Sequence, residues 1–250
     1  MSGHSKWANI KHRKGAQDAK RGKVFTRIGK EITISAREGG GDVDANPRLR
    51  LAVQNAKSVN MPSENVKRAI QKGTGEIEGL QYIEITYEGY APLGVAVIVE
   101  TVTDNRNRTV SEIRALFGKY GGNMGDANSV AWNFDRKSVL TVKTNNLSED
   151  ELLEHVLESG ADDLEYDDDT TRIIAAPDML SVVNKYFQEK KFEISEIKFE
   201  YIPKQTVMIS NITDAKRLLK FIDIMEDYDD SQNVFSNFEI SEDIIDQLDD

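Results

Sequence analysis

The side chains with the greatest chemical reach in this 250-residue chain are cations, and they crowd one end. Lys6, Lys11, Arg13, Lys14, Lys20, Arg21, Lys23, Arg27 and Lys30 fall in one short stretch, opposed there only by Asp18. Lysine and arginine neutralise phosphates and release condensed counterions, which gives affinity without sequence preference. His12 sits inside the run and His4 just before it, where added cations favour polyanion contact over a bound metal. Two roles suit Trp7 equally: stacking on an exposed base, or docking as an anchor on the helices that follow. A second cluster of donors, Asn105, Arg106, Asn107 and Arg108, lies in the loop feeding a helix predicted from Thr109. Donors at a helix N-terminus suit phosphate or carboxylate. The alternative there is structural, with Asp104 or Asn107 capping the helix and the arginines paired to acidic side chains.

Catalytic chemistry finds little purchase. Gly15 and Gly22 are too widely spaced for a phosphate loop, and Val24 stands where its hydroxyl residue belongs. The chain has neither a Gly-x-Ser-x-Gly elbow nor a Gly-x-Gly-x-x-Gly turn after a strand. Its three histidines, His4, His12 and His155, are scattered, and cysteine is absent, which excludes disulfides, thiolate catalysis and sulfur-ligated metals. Counted from Asp167 as a calcium loop, the glycine position holds Arg172 and the final glutamate position holds Asp178. The acidic segment from Glu226 onward reads likewise as a solvated turn. The expectation is a non-enzyme with no catalytic residue, cofactor, metal or small-molecule substrate.

Charge divides the chain in two. Residues 1–75 hold 16 Lys+Arg against 6 Asp+Glu, whereas the remaining 175 hold 16 against 37. Such asymmetry points to a basic functional face on an acidic, solubilising body; the competing reading is two faces that attract each other within the molecule. With 39% hydrophobic and 30% charged residues, the composition suits small, well-solvated domains. Neither a signal-like opening nor a run of about 20 apolar residues is present, so a cytoplasmic protein without membrane contact is expected.

The elements that must position these groups follow from periodicity. Val24, Phe25, Ile28 and Ile32 mark a helix ended by Gly39-Gly40-Gly41; Asn46-Pro47 and Met61-Pro62 open two more. Beyond Gly75 the pattern shifts to strands at Ile83–Tyr87, Val95–Val99 and Ala131–Phe134, with a turn over Gly89–Gly94. A second cycle follows: a strand at Val139–Val142, a capping box at Ser148–Glu151, a strand from Thr171, a helix from Pro177 and a strand from Glu193. Strand–helix–strand closes the chain over Val207–Ile209, Asp214–Met225 and Asn233–Phe238. The predicted fold class is α+β and multidomain. A basic helical domain with an N-terminal arm spans 1–78, a split ferredoxin-like domain spans 79–134 with 206–247, and a second ferredoxin-like domain is inserted over 136–204.

The segments Gly3–Lys14 and Gln17–Lys23, followed by Gly39–Asp42, Asn46–Arg50, Asn60–Pro62, Tyr87–Tyr90, Thr103–Thr109, Gly121–Asn123, Ser129–Trp132, Gln232–Val234 and Ser236–Phe238, resemble the YebC family over essentially the whole chain. That family includes a mitochondrial translational activator of a cytochrome oxidase subunit. The resemblance implies three domains around a cleft, the last inserted in the middle one, and brings no catalytic residue. It implies a DNA-binding transcriptional regulator, or alternatively a ribosome-associated factor that contacts ribosomal RNA and relieves stalling at sequences such as proline runs. Gly15 departs from the alanine common in relatives and loosens the helix there slightly. The expected nucleic-acid contacts are Lys6, Trp7, Lys11, His12, Arg13, Lys14, Lys20, Arg21, Lys23, Arg27, Asn105, Arg106, Asn107 and Arg108, with DNA or ribosomal RNA as partner.

Overall fold

A computed structural model describes residues 17–249. Three helices come first: α1 (Gln17–Gly39), α2 (Pro47–Ser58) and α3 (Ser63–Thr74). Gly40, at φ 84°, releases the chain from α1. Asn46 then caps α2 by accepting from the Leu49 N–H at 3.1 Å, while its amide donates to the Ser35 and Gly40 carbonyls. One asparagine thus starts α2 and ties it to the end of α1. The helices share a core of Ile32, Ala36, Leu49, Ala52, Ala56 and Ala69, whose many alanines permit close approach. Gly73 lies inside α3, against the Thr33 carbonyl and the Ala36 methyl, so the crossing with α1 leaves no room for a side chain. The helix ends later, at Gly75 with φ 79°.

The chain continues as β1 (Ile83–Tyr90), β2 (Ala96–Thr103), α4 (Arg106–Lys119) and β3 (Asn123–Met124). The inserted cycle is β4 (Phe134–Lys143), α5 (Glu149–Ser159), β5 (Asp163–Glu165), β6 (Thr170–Ala175), α6 (Leu180–Glu189) and β7 (Ile194–Pro203). Last come β8 (Val207–Ile209), α7 (Ile212–Asp227), β9 (Ser231–Ser236), β10 (Phe238–Ile240) and α8 (Glu242–Asp249).

The inserted cycle is a βαββαβ unit whose antiparallel sheet runs β5-β6-β4-β7, the ferredoxin-like arrangement. Its helices bury Leu152, Val156, Val183 and Phe187 around Leu140, Val142, Ile173 and Ile197. Ser148 and Glu151 form the reciprocal capping box that starts α5. In the interrupted domain the sheet runs β3-β1-β2-β9 with α4 and α7 packed on one face, where the Phe117 and Phe221 rings meet edge-on at 5.2 Å. This ferredoxin-like layering is reached in a different chain order. β1 leads straight into β2, and β9 arrives through α7 after the insertion. β8 and β10 pair in parallel as a separate ribbon.

Entry to and exit from the insertion are clamped together. Phe134 pairs with Pro203, and the Asn133 side chain both donates to the Gln205 carbonyl (3.0 Å) and accepts from its N–H (3.1 Å). The separate strand expected at Ala131–Phe134 is absent, and Phe134 instead opens β4, which takes in the strand expected at Val139–Val142. Ala131–Asn133 form a 3-10 turn because the Glu88 carboxylate captures the Val130 and Ala131 N–H groups, which removes them from any ladder. The turn expected over Gly89–Gly94 also contracts, since Gly89 and Tyr90 pair with both β2 and β3. Asn237 separates β9 from β10 and accepts from the Ala96 N–H at 2.7 Å.

The helical domain touches both others. Asn55 of α2 exchanges two hydrogen bonds with the Ile197 backbone on the edge strand β7 (2.8 and 3.3 Å), and Leu51 packs against the inserted core. The other contact is ionic and involves predicted functional residues.

Candidate nucleic-acid interface

Lys23, Arg27 and Lys30 recur at intervals of four and three, which places them on one stripe of α1. That stripe lies on the acidic segment Glu226–Asp230, which closes α7 and leads into β9. Lys23 Nζ donates to the Asp227 carbonyl at 3.1 Å and to its carboxylate at 3.0 Å, both side chains remaining well exposed. The Arg27 guanidinium donates to the Glu226 carbonyl. Its burial lowers the guanidinium pKa, with Glu226 and Asp227 pulling the other way. Lys30 is buried and donates to the carbonyls of Val102 and Asp229, both at 3.0 Å, and to the Asp230 carboxylate at 3.2 Å. Glu226–Asp230 is thus a docking surface rather than the solvated turn expected from sequence.

The second predicted cluster meets the first at the same carboxylate. Asn105 caps α4 by accepting from the Arg108 N–H at 3.1 Å, so the helix begins at Arg106, three residues earlier than expected. Arg108 reaches Asp230 at 2.7 Å and Asp104 at 3.0 Å, and the Thr109 hydroxyl donates to Asp230 at 2.9 Å. Burial alone would raise the Asp230 pKa, yet hydrogen bonds from Arg108, Thr109 and Lys30 outweigh it and hold the carboxyl at about 2. Arg106 and the Asn107 side chain are exposed and, among the described residues, have no hydrogen-bond or ion-pair partner.

Beside this junction runs an open groove of about 380 Å³ between α1 and α3, with Tyr82 also in its lining. Phe25, Thr26, Asn65, Arg68 and Lys72 line it. Phe25, expected in the helical core, contributes its ring to this groove. Arg68 and Lys72 lie one turn apart on α3, are exposed, and have no carboxylate partner among the described residues. The Tyr82 ring lies 5.7 Å from Lys30 Nζ, and its hydroxyl pKa is raised by burial and then by Asp104 and Asp230. The groove can hold a phosphate on its cationic flank and an aromatic or sugar moiety against its rings.

Of the predicted contacts, Lys6, Trp7, Lys11, His12, Arg13 and Lys14 lie outside the described residues. Lys20 and Arg21 fall within α1. Lys23 and Arg27 are engaged internally, as in the alternative of two faces attracting each other, and Arg108 pairs with Asp104 and Asp230, as in the structural alternative for its own cluster. Asn105 is a helix cap. Sequence reasoning missed Arg68 and Lys72, although the period that turns Val66, Ala69 and Ile70 inward leaves them outward. It also missed Asp230, whose signal was an acidic run complementary to the Lys23–Arg27–Lys30 spacing. Among the described residues no three His, Asp or Glu side chains group to hold a metal ion, and no helix is long and apolar enough to cross a membrane.

Residues 5–76 match the family model for the TACO1/YebC protein N-terminal domain, and residues 82–238 match that for the TACO1/YebC second and third domain. A protein of Syntrophobacter fumaroxidans is 51% identical over 250 residues, covering 99% of this chain and all of the relative. One of Dictyoglomus turgidum is 49% identical over 249 residues, covering 99% of this chain and all of the relative. Both carry the name "Probable transcriptional regulatory protein". The crystal structure of a conserved hypothetical protein from Aquifex aeolicus superposes with a TM-score of 0.85 at 43% identity, covering 91% of this chain and 94% of that one. With both models matched and relatives of this identity spanning its length, the chain belongs to the TACO1/YebC family.

Proposed function

We propose that the protein is a non-enzymatic, cytoplasmic, nucleic-acid-binding regulator of gene expression that grips phosphates with its helical domain. The observation that carries this reading is the groove between α1 and α3. Its Arg68 and Lys72 are exposed cations with no carboxylate partner among the described residues, unlike Lys23 and Lys30. They share a domain with the cationic segment Lys6–Arg21, which supplies most of the remaining positive charge. The names of the relatives support regulation of transcription, with DNA as the partner. The same reading divides the chain at residues 78/79, 134–136 and 204–206.

One observation favours the second reading, contact with ribosomal RNA during translation. The full base code is read by an element laid in the major groove, and α1 has one stripe committed to Glu226–Asp230. Grip on phosphate and shape suits RNA better than base reading does. Gradient sedimentation of lysate at low salt separates the two. Migration with ribosomal particles supports the RNA reading. Protein remaining at the top, combined with preference for a native promoter over scrambled DNA, supports the DNA reading. Failure to bind either polymer contradicts both.

A further inference from the structure

Three segments, Tyr87–Tyr90, Gly121–Met124 and Gly125–Trp132, converge at the corner where β1 pairs with β3. The buried Glu88 organises them. Its carboxylate accepts from the backbone N–H groups of Asn128 (2.8 Å), Val130 (2.9 Å) and Ala131 (2.8 Å), and its carbonyl accepts from the Gly125 N–H at 2.8 Å. A carboxylate holding three N–H groups fixes the loop that ends at Trp132.

On this support stand two exposed rings, Tyr90 at 38% and Trp132 at 62%. The Tyr90 hydroxyl (3.3 Å) and the Trp132 indole N–H (3.1 Å) both donate to the Ser129 carbonyl. One carbonyl oxygen thereby engages the polar handles of both rings, while a large part of each residue stays exposed to solvent. Cations flank the pair. The exposed Arg217 guanidinium packs against Gly121, one residue before Gly122, which abuts the Tyr90 carbonyl. Arg217 has no ion-pair partner among the described residues. On the other side, Lys204 donates to the Trp132 carbonyl at 3.3 Å and pairs with Asp135 at 3.1 Å. Asp126 is the remaining exposed carboxylate in the loop.

We infer that Tyr90 and Trp132 form a stacking platform for an unpaired nucleotide of single-stranded nucleic acid, with Arg217 taking an adjacent phosphate. The inference rests on the nucleic-acid reading and deepens it by naming the form bound. Pre-tethered rings lose little freedom on stacking, every base offers a π face, and neither ring keeps a donor for reading base edges. A duplex hides its base faces, so it does not fit.

The test uses the full chain labelled with 5-fluorotryptophan. The fluorine resonances of Trp7 and Trp132 are assigned with Trp132→Phe. Oligouridylate and oligothymidylate distinguish RNA from DNA; an abasic ribose-phosphate oligomer and a short duplex RNA serve as controls. The Trp132 resonance should shift with both single strands and not with the abasic oligomer or the duplex. Trp132→Ala should weaken oligouridylate binding roughly tenfold, Trp132→Phe should restore most of it, and abasic affinity should stay within about twofold. If oligouridylate binds while the Trp132 resonance stays fixed, the platform proposal is wrong and the exposed rings belong to a protein partner. Equal losses for oligouridylate and the abasic oligomer also overturn it. If wild type binds none of the four, the nucleic-acid reading itself falls.

Discussion

The ammonium of Lys30 lies 3.2 Å from Oδ1 of Asp230, with both side chains at most a tenth exposed. Oδ2 of the same carboxylate receives Arg108 at 2.7 Å. One aspartate therefore ties α1 to the N-terminus of α4, so the helical domain meets the interrupted domain through charge, while Leu51 and Asn55 hold it to the inserted one. Positive charge on α1 thus has two uses. The stripe at residues 23, 27 and 30 docks the domain, and the proposed grip on a polyanion falls to cations outside it.

Replacing Asp230 should destabilise the docked arrangement severely. Asp230→Ala leaves Lys30 buried without its counter-charge, a loss expected to cost roughly 3 kcal/mol. Urea denaturation followed by near-ultraviolet circular dichroism measures it. Lys23→Ala, at the exposed end of the stripe, should cost less than about 1 kcal/mol in the same assay.

Acid should release the same contact. An aspartate in the unfolded chain titrates near 3.9, and Asp230 in the fold near 2. The folded carboxyl holds its proton less tightly, so its contribution to stability is complete above about pH 4 and is lost as pH falls toward 2. Denaturation midpoints measured across that window should fall more steeply for wild type than for Asp230→Asn.

Gly89 should not tolerate a side chain. A β-carbon there would lie 2.5 Å from the Asn123 carbonyl and 2.8 Å from the Phe117 ring, where β1 meets β3. Gly89→Ala is expected to cost roughly 2 kcal/mol through overpacking and to disturb the Glu88 loop, seen as changed Trp132 emission.

Local grammar made much of the fold legible. Asn46-Pro47, the Ser148–Glu151 box and the glycines after α1 act over a few residues, and the structure reproduces each. The errors arose where a distant group overrode local pattern. Ala131–Asn133 reads as a strand until Glu88, more than forty residues earlier, takes its N–H groups. Lys23 and Arg27 resemble the other N-terminal cations because the acidic segment opposite them is about 200 residues away in sequence. Arg68 and Lys72 carry no motif, and only the crossing of α1 and α3 makes them flank a groove.

The most direct test of phosphate gripping by the helical domain is the salt dependence of binding to a single RNA oligomer. Plots of log affinity against log salt should be linear for wild type. The slope should become shallower by about 1.5 in the Arg68→Ala/Lys72→Ala variant, corresponding to two phosphate contacts at roughly 0.7–0.9 each. Identical slopes and affinities for the two proteins would contradict the assignment of the groove.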